Sequence, residues 1–262
     1  MPVTAIINLR ALTGGRMPRS FHCLMHPIFL DRISAAHSGL GAMLHDHQGP
    51  APYAISPVMG RKANGAILNN ESYWVRLSIL HPDLEDVFLT TLEKGLWVEP
   101  VSVGDLSFLV EDVVLGQQPS NPWSGRTSYD DLRRNGSASD RITLHFKSPV
   151  SFKRGDLHYS LPEPGLIFGH LVKRWNRFAP DLMPETLTGQ GVSYSFFDIH
   201  TAPYALRNGG TIIGSIGQLT FIFECDAPTQ RLYRTLLRFA FYSGIGVKTT
   251  QGMGLCRVIE ER

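Results

Sequence analysis

The chain carries 10 histidines, and an unperturbed imidazole pKa of about 6.5 suits this side chain to moving protons near neutral pH. Two groupings stand out. His45 and His47 lie two residues apart, just ahead of Gly49, Pro50 and Pro52, a turn-rich run able to form the edge of a cleft. His22 and His26 are spaced i, i+4, which puts them on one face of a helix, with Cys23 and His37 near in sequence. Such a pair can share a zinc ion. Spacing supplies no third ligand, so the plainer reading is two helix-face histidines, and no metal or small-molecule cofactor is expected.

A second chemical feature is GIGVKTTQGMG, residues 244–254, in which Gly244, Gly246, Gly252 and Gly254 surround Lys248 and Gln251. Glycine permits positive φ and close backbone approach. Exposed N–H groups in such a loop can cradle phosphate oxygens, with Lys248 adding charge. The run lacks the Gly-Lys-Ser/Thr of a P-loop and precedes a strand, so it is neither a P-loop nor a dinucleotide fingerprint. A tight turn that needs glycine for geometry alone reads equally well.

The net charge is +2 over 262 residues, so charge alone names no partner. Its distribution says more. Nine acids from Glu71 to Asp112 face only Arg76 and Lys94, whereas nine bases from Arg133 to Arg177 face three acids. The basic sector includes Lys147, Lys153, Arg154, Lys173, Arg174 and Arg177, and it fits a polyanion bound on one face. Lys173 and Arg177 share a helix face by spacing. The three cysteines, Cys23, Cys225 and Cys256, form no disulfide framework, which points to reduced thiols and a cytoplasmic protein. Arg10 and the Gly14, Gly15 pair interrupt the short apolar start, so no secretory signal is expected. No stretch is long and apolar enough to span a membrane.

These groups need a scaffold, and hydropathy periodicity predicts one. Residues 3–9 (VTAIINL), 73–80 and 106–114 read as strands, with helices over 21–36 and 84–92 and Asp83 as N-cap of the latter. Residues 39–57 read as loop with a short strand at most. Residues 117–140 read as a linker by composition. Strands at 141–146, 192–199, 211–223 and 254–259 then alternate with helices at 163–179 and 232–242, with a turn at Asn208, Gly209 and Gly210. The fold class is therefore α+β, two β-α-β-β-α-β units in tandem: residues 1–116 and 141–262 as ferredoxin-like (RRM-like) domains, joined by the linker. Trp175 is expected in the core. Tyr194, Phe196 and Phe197 are expected there too, although exposed aromatics on such a sheet can stack bases.

The run GIGVKTTQGMGLCRV resembles the C-terminal signature of the CRISPR repeat-processing endoribonucleases of the RAMP superfamily. Ser148-Pro-Val-Ser-Phe152, Pro162-Glu-Pro-Gly-Leu-Ile-Phe168 and Arg174-Trp-Asn-Arg-Phe-Ala-Pro180 resemble the family's second domain. Leu44-His-Asp46, Pro50 and Tyr53-Ala-Ile-Ser56 resemble the segment following its first helix. The resemblance implies tandem ferredoxin-like domains and a metal-independent endoribonuclease that cuts repeat RNA, hairpin or single-stranded. The nucleophile would be the 2′-hydroxyl, leaving a 2′,3′-cyclic phosphate and a 5′-hydroxyl. It also implies retention of the product among other CRISPR effector subunits. Many members place their catalytic histidine where His45 stands, with His47 as the alternative. The RNA-binding set would be Gly244, Gly246, Lys248, Gln251, Gly252 and Gly254 with Lys147, Lys153, Arg154, Lys173, Arg174 and Arg177. A tyrosine and a lysine that some members add fall here on Leu30 and Ala51, with His26, Arg61 and Lys62 as replacements by geometry. That departure keeps open a catalytically inactive RNA-binding RAMP subunit, and the His/Cys grouping keeps open a zinc-dependent nuclease.

Overall fold

The computed structural model describes residues 1–18, 21–45, 49–118, 121–134, 141–206 and 209–259. His47 lies outside the described residues, as does Asn208 of the expected turn. The first half contains β1 (Val3–Ala11), α1 (Met25–Ala36), α2 (Ser38–His45), β2 (Tyr53–Ile55), β3 (Ser72–Ile79), α3 (Pro82–Glu93) and β4 (Leu106–Leu115). After it come α4 (Tyr129–Arg134), β5 (Arg141–Val150), α5 (Pro164–Phe178), β6 (Val192–Ala205), β7 (Thr211–Phe223), α6 (Ala227–Ser243) and β8 (Cys256–Ile259). The sheets run β2-β3-β1-β4, with Val101–Val103 outside β4, and β6-β7-β5-β8. Every pairing among these strands is antiparallel. Both sheets thus have the ferredoxin-like strand order, in tandem, as the repeated element pattern predicts.

Side-chain alternation explains the layers. Along β1, Val3, Ala5, Ile7, Leu9 and Ala11 enter the first core, against Met25, Phe29 and Ile33 of α1. Ile6 points the other way and meets Trp123 and Leu255 between the halves. On α5, Ile167, Phe168, Leu171, Val172 and Trp175 form the stripe buried on the second sheet. Phe168 and Phe221 are fully buried, each contributing about 1.5–3 kcal/mol relative to exposure.

Four expectations need correction. Residues 39–57 are not loop throughout, because Ser38–His45 forms α2. Gly41 is there for closeness: a Cβ on it would fall 2.1 Å from Ser34 Oγ. Asp83 does not cap α3; His81 does, its side chain accepting from the Asp83 N–H at 3.3 Å. The expected linker is docked on the first half through Thr4 N–H to Gly125 O (2.8 Å) and Gly125 N–H to Thr4 Oγ1 (2.7 Å). Its Trp123 is buried, Arg126 pairs with Glu85, and residues 129–134 form α4. Finally, Phe196 and Phe197 lie outside the core, 48% and 68% exposed, whereas Trp175 is fully buried as expected.

Two buried arginines tie the halves together in opposite directions. Arg76 of β3 donates to the Phe241 carbonyl near the end of α6, with its guanidinium 4.5 Å from the Phe241 ring centroid. Arg174 of α5 reaches back to the first half, donating from Nη2 to Ala51 O (3.0 Å) and Tyr53 O (3.5 Å). Burial lowers both pKa values to about 10, so both stay cationic at neutral pH. No helix among the described residues is long and apolar enough to cross a membrane.

Candidate active site

A cleft of about 1110 Å³ opens between the halves. One wall is built by α1, the end of α2 and β2, and carries His26, Asp31 and His45. The other is built by α5, the hairpin Phe152–Arg154/Leu157–Tyr159 and the glycine loop, and carries Lys153, His158, His170, Arg174 and Lys248. Sequence positions more than 100 residues apart thereby line one space.

His45 is the last residue of α2 and is exposed on the cleft. His26, the second residue of α1, sits with its Nδ1 3.3 Å from the Tyr53 hydroxyl, the two rings stacked at 6.1 Å. Burial raises the Tyr53 pKa, so its phenol keeps its proton. Leu30 and Ala51 line the same cleft and bring no proton-carrying side chain to it. Arg61 and Lys62 do not line it; Lys62 Nζ donates to Val58 O at 2.9 Å instead.

The glycine loop is shaped by close packing. Gly244, Gly246, Gly252 and Gly254 have φ of 67°, 81°, 101° and 75°. A Cβ on Gly246 would fall 2.3 Å from Ser151 O, and one on Gly254 2.1 Å from Ile245 O. The N–H groups of Ile245, Val247, Gln251, Met253 and Gly254 bond to backbone carbonyls, and that of Gly246 to His170 Nδ1 at 3.4 Å. Most of the loop's amides are therefore already satisfied within the protein, and its glycines answer to geometry first. What it offers the cleft is Lys248, exposed and held at a left-handed φ of 58°, beside the short turn Thr249–Gln251. His170 is kept neutral: burial, then the nearby Arg174 and Lys173, push its pKa down to about 3.

The bases named from sequence divide. Lys153 lines the cleft, exposed, directly across its hairpin from His158. Arg174 lines it too, but only 3% exposed, with Nη1 on Thr249 Oγ1 (3.1 Å) and Nη2 on the first half. It is a bracket between α5, the loop and β2 rather than an exposed phosphate ligand. Arg154 pairs with Glu163 at 2.7 Å and lies over the Tyr159 ring. Lys147, Lys173 and Arg177 are exposed outside the cleft lining, Arg177 beside a smaller hollow with Met43 and His81. Sequence reading passed over His158, His170 and Tyr53. The hairpin that pairs Lys153 with His158 was the signal, through Gly155 between two short apolar-polar runs. Among the described residues, no three His, Cys, Asp or Glu side chains converge to hold a metal ion.

The family model for CRISPR-associated endoribonuclease Cas6 matches residues 144–256, from β5 through the glycine loop to the start of β8. A CRISPR-associated endoribonuclease Cas6 of Streptococcus thermophilus is 27% identical over 232 residues, 84% of each chain. A Cas6 bound to a substrate mimic superposes with TM-score 0.75 at 27% identity, covering 98% of this chain and 99% of its own. The second half of the chain matches the Cas6 model, and its full length resembles Cas6 endoribonucleases. Cas6 from Thermus thermophilus, in a product complex, matches the fold with TM-score 0.83 at 24% identity, over 99% of this chain and 100% of its own. The Cas6 match includes the glycine loop and the hairpin wall of the cleft, and the whole-chain alignments extend the likeness to the wall carrying His45.

Proposed function

We propose that this protein is an endoribonuclease that binds CRISPR repeat RNA across the cleft and cuts it without a metal ion. One observation carries the reading: the exposed His45 and the exposed bases Lys153, His158 and Lys248, drawn from opposite halves, line the same space. In-line cleavage needs a base for the 2′-hydroxyl, an acid for the departing 5′-oxygen and cations for the charge developing on phosphate. In this reading His45 takes the 2′-hydroxyl proton as the 2′-oxygen–phosphorus bond forms. The bond from phosphorus to the 5′-oxygen breaks, leaving a 2′,3′-cyclic phosphate and a 5′-hydroxyl. In the same reading His26 protonates that oxygen. This role needs the tautomer with the proton on Nε2, in which Nδ1 accepts from the Tyr53 hydroxyl 3.3 Å away. Lys153 and Lys248 supply cations where the family lysine position holds Ala51. His47, two residues beyond His45, remains the alternative proton carrier. Product retention within the cytoplasm, for hand-over to other CRISPR effector subunits, follows from the same reading.

The test is incubation with the cognate repeat RNA in excess chelator, beside the same RNA lacking the 2′-hydroxyl at the cut site. We expect chelator-resistant cutting to a cyclic phosphate, and a deoxy substrate that binds uncut. Binding without cutting would identify an RNA-binding RAMP subunit instead, and chelator sensitivity a zinc-dependent nuclease.

A further inference from the structure

β6 is the outer strand of the second sheet. It pairs with β7 on one side, and no described strand lies on its other side. An open strand edge presents unpaired N–H and C=O groups that recruit another strand, and natural edges are blunted by lysines, prolines or bulges. This edge has a register shift between Tyr194 and Phe196 and a proline at Pro203. The run between them, FFDIHTA at residues 196–202, has no lysine, arginine or proline. Phe196 and Phe197 are 48% and 68% exposed there. An apolar hollow of about 470 Å³ lies alongside, lined by Leu161, Pro162, Tyr194, Phe197 and Ile199. Large exposed apolar surface on a strand edge marks a contact site.

We propose that this edge joins two copies of the chain, their β6 strands pairing antiparallel about a two-fold axis at Ile199. Three features of the strand select that register. The unblunted run is centred on Ile199, so the axis sets the bulged Ser195 of one copy opposite Pro203 of the other, and both irregularities fall outside the new ladder. The same axis sets Asp198 of each copy opposite His200 of the other, both exposed, which is a self-complementary charge pattern. Moving the axis to Asp198 would oppose two aspartates. Alternation places Phe197 and Ile199 on one face, so the two Ile199 side chains meet at the axis, flanked diagonally by Phe197 of each copy.

The molar mass of the intact protein, measured by analytical ultracentrifugation across a concentration series, tests the proposal. We expect a dimer. Asp198→Lys alone opposes lysine to histidine, and His200→Asp alone opposes two aspartates; each is expected to weaken self-association about tenfold or more. Mixed in equal amounts, the two variants set the introduced lysine of one copy opposite the introduced aspartate of the other. The native His200 and Asp198 that remain also face each other, and a heterodimer is expected to re-form. Both positions are exposed, so folding is not at stake. Ile199→Lys, a like charge on the axis, is expected to give monomer. A wild-type monomer at every concentration overturns the proposal, as does a dimer indifferent to these changes or a mixture that stays monomeric. If Ile199→Lys weakens repeat-RNA binding with no change in mass, the strand belongs to RNA and the proposal fails.

Discussion

The two walls of the cleft are built by opposite strategies. The wall from the second half is locked. Gly246 and Gly254 lie against backbone carbonyls, Arg174 is buried with its nitrogens committed, and His170 is held neutral beneath the loop. The wall from the first half places His45 at the exposed end of the eight-residue helix α2, ahead of Gly49 and Pro50. A rigid surface suits holding a phosphate backbone, because ordering costs are met on folding rather than on binding. A proton carrier needs access more than burial. In this molecule, glycines and buried charges build the wall proposed to bind RNA, while the candidate chemistry rests on exposed side chains.

Substitutions can break that contrast. The largest effect is expected for Arg174→Ala, which removes the bracket and leaves Ala51 O and Thr249 without their partner; urea melts are expected to show about 2–4 kcal/mol lost. Arg174→Met, filling the space without charge, is expected to lose less. Equal losses would mean that filling the space contributes nothing and that the whole loss belongs to the charge and its hydrogen bonds. Next comes Gly246→Ala, in which both the 81° φ and the 2.3 Å approach to Ser151 O oppose a methyl group. About 1–3 kcal/mol is expected. Gly49→Ala on the other wall meets nothing within 4 Å at its φ of 102°, so only backbone strain of about 1 kcal/mol is expected. Matching melts for the two alanines would erase the distinction between the walls.

Lys248→Ala sharpens the contrast from the binding side. It is expected to leave stability unchanged, weaken repeat-RNA affinity severalfold and lower the slope of log affinity against log salt by about 0.7, one phosphate contact on single-stranded RNA. An unchanged slope in a filter-binding series would remove Lys248 from the interface. The last expected effect appears only on acidification. His170, at about 3 in the folded protein, takes up a proton on unfolding at about 6.5. Its contribution to stability is therefore full above about pH 6.5 and is lost as pH falls toward 3. His170→Asn, which keeps an acceptor for the Gly246 N–H, is expected to flatten the fall in Tm across that window. A variant that loses stability on acidification as steeply as wild type would show that His170 is not held neutral.

Much of the fold was legible because strand and helix periods are strong in the second half. Residues 141–146, 163–179 and 211–223 lie within or overlap elements whose buried faces follow the sequence pattern. The misreadings share a cause. Residues 39–57 read as loop, yet Gly41 marks where α2 approaches Ser34, a contact no local pattern records. Trp123 sits in a segment polar by composition, and only the facing Ile6 and Leu255 explain its burial. In the candidate site, His45, Lys153 and Lys248, named from residue type, all line the cleft. Arg174 was not, because sequence gives its charge but not the Ala51 and Thr249 oxygens that occupy it. The loop's glycines read as open to either role, and the carbonyls of Ser151 and Ile245 give the steric one.

In the proposed mechanism His45 serves the cutting step and is not needed to hold the RNA. Single-turnover cleavage of cognate repeat RNA by His45→Ala, measured in chelator beside its RNA affinity, tests this most directly. The account predicts that cutting falls by about 10²–10⁴-fold while affinity stays near that of the unaltered protein. Cutting at the unaltered rate, or parallel loss of cutting and binding, would contradict it.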